Sequence, residues 1–100
     1  MEADCIFCQI ANGQTSTDIL YQTDTLVVFK DINPHAPVHL LIVPKKHIRS
    51  LNDLSDADGV ILSEMMMAAR KMARTHAVAK SGYKIFINVE RGGGQLIFHL

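Results

Sequence analysis

The chain has 100 residues, 48% of them apolar, and its ten basic side chains balance ten acidic ones. That length supports one compact domain and excludes two, while zero formal charge removes the basic footprint that a general nucleic-acid binder needs. No apolar run approaches the roughly 20 residues that span a bilayer, and Met1-Glu2-Ala3-Asp4 is acidic where a signal peptide is basic, so a cytoplasmic protein without a membrane partner is expected.

Ile6 to Ala11 is apolar and helix-compatible, and Asn12-Gly13 stops it. Ile19 to Tyr21 and Thr25 to Phe29 are β-rich, and the short polar link between them predicts a hairpin. Pro34 and Pro37 force the stretch from Asp31 to Pro37 into an ordered loop, after which Val38 to Val43 reads as a third strand ended by Pro44. Ser55-Asp56-Ala57-Asp58 resembles a capping box, and Ile61, Met65, Ala68, Met72 and Ala73 recur at helical spacing, predicting one long helix down to about Ala79. Tyr83 to Val89 and Gln95 to Leu100 are two more strand-like runs, joined by the glycine-rich Glu90-Arg91-Gly92-Gly93-Gly94. Hairpin-ordered strands around one long helix predict an antiparallel α+β sheet. Leu100 falls inside an apolar β-run, which suggests a chain cut within a strand.

Two cysteines occur, Cys5 and Cys8, in a C-x-x-C pair. Such a pair on a turn aims two thiolates at one cation, and His47 and His99 are the best remaining ligands for a tetrahedral zinc site. Two buried cysteines behaving as small hydrophobes fit the spacing equally well. A thioredoxin-like redox pair fits worse, because no strand precedes the motif. The run Gly92-Gly93-Gly94-Gln95 brings backbone N–H groups close to an anion, although a plain glycine-rich turn explains it as simply. Strand alternation puts Ile97 and His99 on one face of the last run, with Leu96, Phe98 and Leu100 facing the core. The same rule groups His39 with Leu41 and Val43. His76 reads as a last-turn residue facing the helix dipole, and His35 as a solvent-facing loop residue.

Four blocks resemble the histidine triad (HIT) family, in particular its Hint-like branch of purine nucleotide phosphoramidases. They are Cys5-Ile6-Phe7-Cys8-Gln9-Ile10; Phe29 through His39 continuing in Ile42-Val43-Pro44-Lys45-Lys46-His47; Gly82-Tyr83 with Asn88; and Gly93-Gly94-Gln95 followed by His99. The resemblance implies a single HIT domain over 1–100, truncated at its C-terminal strand, with a five-stranded antiparallel sheet, one long and one short helix, and a homodimeric assembly that would compensate for a modest core. It implies a purine nucleotide site in which Ile6, Phe7, Phe29 and Ile32 line the base pocket, Asp31 binds the ribose hydroxyls, and Asn88, Gly94 and Gln95 meet the α-phosphate. His39 would orient a catalytic imidazole. Members with C-x-x-C bind zinc through residues matching Cys5, Cys8, His47 and His99.

The family hallmark is His-x-His-x-His-x-x, of which His99 is the first histidine. The second attacks the α-phosphorus and forms a nucleotidyl-histidine that water then cleaves. That nucleophile is expected at position 101, so the 100-residue chain is expected to be inactive by itself. Leu96 departs from the usual serine, and Gln14-Thr15-Ser16-Thr17 lacks the usual proline. A non-catalytic nucleotide- or zinc-binding interaction module is the alternative reading.

Overall fold

The computed structural model describes residues 5–15, 17–97 and 99–100. The acidic start at Met1–Asp4, the loop residue Ser16 and the core-facing placement expected of Phe98 lie outside the described residues. Helix α1 (Ile6–Ala11) starts at Cys5, whose Sγ accepts the Cys8 N–H at 3.4 Å and so serves as an N-cap. It stops as expected, with Gly13 at φ +70° and the Asn12 amide donating back to the Cys8 carbonyl.

Strands β1 (Ile19–Gln22), β2 (Leu26–Lys30) and β3 (Leu40–Pro44) form an antiparallel meander in that order. Thr23 shapes the hairpin turn: its hydroxyl oxygen accepts the Thr25 and Leu26 N–H groups. The Asp31 N–H donates to the His39 carbonyl at 3.1 Å and closes the proline loop. Pairing of Val27 with Val43 and Phe29 with Leu41 puts these four on one sheet face, where they pack on Ile10 of α1. The other face sets Leu26 and Ile42 against Ile61, Met65 and Ala68 of the long helix, with Ile48 and Leu100. Both faces of β2 are covered, so Leu26 to Phe29 is buried without alternation.

Helix α2 (Gly59–Thr75) is entered through a 3-10 turn at Asp56–Asp58, where the Ser55 N–H donates to Asp58 Oδ2 at 3.0 Å. The expected capping box is therefore present, and Lys46 Nζ adds a 2.8 Å bond to the same carboxylate. Buried Ile61, Ala68, Ala69, Met72 and Ala73 form the inward stripe.

The helix ends at Thr75, four residues before Ala79. Ala77 sits at φ +59°, and the Val78 N–H reaches the Ala73 carbonyl while the Ala77 N–H reaches that of Arg74. This is a Schellman closure with alanine in the place glycine favours. The imidazole expected at the last turn, His76, is the C-cap residue, with Nδ1 3.0 Å from the Met72 carbonyl oxygen.

The sheet has three strands among the described residues, where five were expected. Residues 82–88 are exposed and have no ladder partner, and extended backbone becomes a strand only by pairing. Beyond a 3-10 turn at Arg91–Gly93, the described residues 95–97 and 99–100 are likewise not assigned to a strand, so the two-residue alternation does not govern them. Leu96, expected to face the core, is 90% exposed, while His99 is buried.

Replacing Ala77 with glycine removes the left-handed penalty at an exposed position. Chemical denaturation should show A77G to be more stable than the natural chain by about 0.5–1 kcal/mol, after the greater chain entropy of glycine is offset.

Candidate functional site

Three distant parts of the chain meet at one buried cluster. Cys5 and Cys8 come from the cap and first turn of α1, His47 from just beyond β3, and His99 from the far end. Their ligand atoms all lie within 4.8 Å of one another. Cys5 Sγ and Cys8 Sγ are 3.3 and 3.4 Å from His99 Nδ1, and Cys8 Sγ is 3.2 Å from His47 Nδ1. A tetrahedral ion with ordinary metal–thiolate and metal–imidazole bonds separates sulfur from nitrogen by about 3.5 Å, so the four side chains fit such an ion closely.

The proton on His99 is fixed by its surroundings. Nε2 lies 2.7 Å from the Pro44 carbonyl oxygen, which only accepts, so Nε2 carries the hydrogen and Nδ1 turns its lone pair toward the thiols. Desolvation lowers the His99 pKa, against the Pro44 bond, which raises it; the neighbouring His47 lowers it further. The ring is neutral, as a metal ligand must be, and the carbonyl at its back is the usual orienting partner of a ligating histidine.

A second network frames the glycine turn. Arg49 Nη1 lies 2.7 and 2.6 Å from the two carboxylate oxygens of Glu90, and the Ser50 hydroxyl is 2.7 Å from one of them. Glu90 holds φ +58°, and its N–H donates to Gln95 Oε1 at 2.8 Å. Gln95 Nε2 donates to the carbonyls of Arg49 and Ile97. The Gln95 amide is therefore committed to backbone. The Gly94 N–H is spent on the Arg91 carbonyl, whereas the Gly92 N–H has no acceptor among the described residues. Gly94 needs its φ of +84°, and Asn88 Nδ2 reaches its carbonyl at 3.5 Å.

The remaining expected residues fall into two groups. Phe7 meets Phe29 edge-on at 5.7 Å and His99 at 5.9 Å, which joins the aromatic pair to the Cys/His cluster. Ile6 and Ile32 are exposed, Ile32 to 89%. Asp31 Oδ2 lies 3.4 Å from His39 Nε2, and His39 Nδ1 accepts the N–H of exposed His35. No hydrogen bond or ring contact joins His39 to His99 among the described residues. Arg49, Ser50 and Glu90 were not singled out from the sequence; 41 residues separate Arg49 from Glu90, and no motif marks either.

Fold and cluster together define a small α+β domain built around a Cys2His2 ligand set beside a glycine-rich turn. The profile of the family described as "Scavenger mRNA decapping enzyme C-term binding" matches residues 4–100. A purine nucleoside phosphoramidase of Escherichia coli (strain K12) is 37% identical over 100 residues, all of this chain and 84% of that protein. Protein HitA of Neisseria gonorrhoeae is 40% identical over 97 residues, 97% of this chain and 90% of the relative. Among solved structures, a histidine triad protein from Clostridium difficile superposes with a TM-score of 0.97 at 39% identity, covering 100% of this chain and 87% of that one. A HIT family hydrolase from Legionella pneumophila Philadelphia 1 gives 0.93 at 40%, covering 96% and 86%. The chain belongs to the histidine triad family.

The Arg49 bond, and then the Ser50 hydroxyl, hold the Glu90 carboxyl below its ordinary value of 4.5, against a smaller effect of desolvation. A lowered folded pKa gives stability that is present above the unfolded value and is lost as pH falls through the folded one. Urea midpoints should therefore show Glu90→Gln weaker than the natural chain at neutral pH, and the gap should close as pH drops below 4.5.

Proposed function

We propose that this chain is the nucleotide-binding part of a hydrolase or transferase acting on purine nucleoside phosphoramidates or related nucleotides. The observation that carries the reading is similarity, at 37% identity over all 100 residues of this chain and 84% of the relative, to a purine nucleoside phosphoramidase. Two local features support it. A hydrogen-bonded glycine turn presents the Gly92 N–H, which has no acceptor among the described residues and suits an anionic oxygen. Phe7 and Phe29, with exposed Ile6 and Ile32 nearby in sequence, supply apolar surface for a base.

In this reading Asp31 accepts from the ribose diol, and Asn88 with the 92–95 turn receives the α-phosphate. His39 is a positioning residue, held at Asp31. A histidine at position 101 attacks the phosphorus as the phosphorus–nitrogen bond breaks. The amine leaves with a proton, and water then cleaves the nucleotidyl-imidazole to return the nucleoside monophosphate. Cys5, Cys8, His47 and His99 hold a structural zinc ion, the choice favoured by two thiolates and two imidazoles in a tetrahedral set. When bound, zinc cross-links three chain segments and supplies no redox chemistry. His99 thereby anchors the backbone from which residue 101 projects. A homodimer fits the exposed, extended Tyr83, Ile85, Phe86 and Ile87, which have no ladder partner among the described residues.

Calorimetry should give saturable binding of adenosine monophosphate by the 100 residues, weakened by Asp31→Ala. Adenosine phosphoramidate hydrolysis should be undetectable with them and restored in a chain carrying His-x-His from residue 99. Equal rates would refute the assignment of the nucleophile.

Metal analysis of protein purified without chelator should find about one zinc per chain. Cys5→Ala should lose it, and an unchanged zinc content would exclude the site.

A further inference from the structure

On the face of the sheet away from α1, the β1–β2 hairpin and α2 enclose an open groove of about 520 Å³, within the range of small-molecule sites. None of the residues given a nucleotide or metal role lines it. Buried Leu26 and Ala68 line it together with half-exposed Met67 and the exposed Arg70, Lys71 and Arg74. Lys71 Nζ stands 4.4 Å over the Tyr21 ring, which holds that cation at the groove wall. Arg70 and Arg74 are one helical turn apart and so lie on one face. Neither has a carboxylate partner among the described residues. The single acid in the lining, Glu64, is bonded to the Thr25 hydroxyl.

Three cations thus converge on one concavity against one engaged carboxylate. Three cations exceed the roughly two negative charges of a single phosphate group, and they suit a short chain of charged groups. Guanidinium forks match phosphate oxygens two at a time. We propose that this groove binds an acyclic oligophosphate, a chain of two or three phosphates, at a site separate from the nucleotide residues. Arg70 and Arg74 clasp successive phosphates and Lys71 neutralises the chain from the Tyr21 side. A free chain and one carried on a nucleoside share this chemistry.

The test is calorimetry on the full 100 residues, pre-saturated with adenosine monophosphate. Inorganic triphosphate is titrated at about 0.01 M ionic strength, where screening is weak. One saturable site per chain is expected. Arg70→Ala/Arg74→Ala should weaken it by about tenfold or more, whereas Lys30→Ala/Lys80→Ala, with the same loss of charge elsewhere, should change it by less than about threefold. Alanine favours the exposed helix, and circular dichroism verifies that α2 is intact. In the natural chain, amide shifts on adding triphosphate should centre on Met67 and Lys71. The proposal is overturned by absence of saturable binding, by equal weakening in both double variants, by shifts confined to Gly93 and Gly94, or by binding of adenosine triphosphate while inorganic triphosphate is inert.

Discussion

One hydrogen bond organises the candidate centre: the buried His99 imidazole donates through Nε2 to the Pro44 carbonyl. That carbonyl is the last of β3, where Pro44 pairs with Leu26, so its orientation is set by the end of the sheet ladder. The bond selects the tautomer, and the tautomer leaves the Nδ1 lone pair facing the thiols of Cys5 and Cys8. A buried imidazole without such a partner would cost the desolvation of a polar group. Here every polar atom of the ring has a use.

The cluster also explains how so short a helix as α1 keeps its place. Helix α1 has six residues, well under the length that is stable by itself. It is pinned twice, by Ile10 against Val27, Phe29 and Val43, and by the thiols of its cap and first turn against the imidazoles of His47 and His99. The Arg49–Glu90 pair does the same for the glycine turn, drawing it to the segment after β3. His47 and Arg49 thus use one stretch of chain to hold two functional groups, three residues or fewer apart.

Much of this was legible in the sequence. The hairpin, the third strand, the short helix and the long amphipathic helix came within one to four residues of their bounds, because apolar periodicity and turn residues report local structure directly. The meeting of Cys5, Cys8, His47 and His99 was legible from the C-x-x-C pair and the family blocks. What was hidden is non-local. Strand-like composition at 83–89 and 95–100 says nothing about whether a partner is present to complete a ladder. The end of α2 at Thr75 was missed because alanine carries no signal for a left-handed conformation. Gln95 was expected at a phosphate, but its amide closes a backbone network whose members are far apart in sequence.

The exposed run from Tyr83 to Ile87 has a further consequence for how the protein survives at high concentration. Five consecutive residues without a ladder partner among the described residues, four of them large and apolar, are a template on which foreign strands can grow. The one charge within them is Lys84, whose ammonium lies 5.4 Å from the centre of the Phe86 ring. Placed there, it acts as a gatekeeper: each added strand in register would stack like charges and uncover that cation from its ring. A single cation therefore opposes strand addition along a stretch whose other side chains favour it.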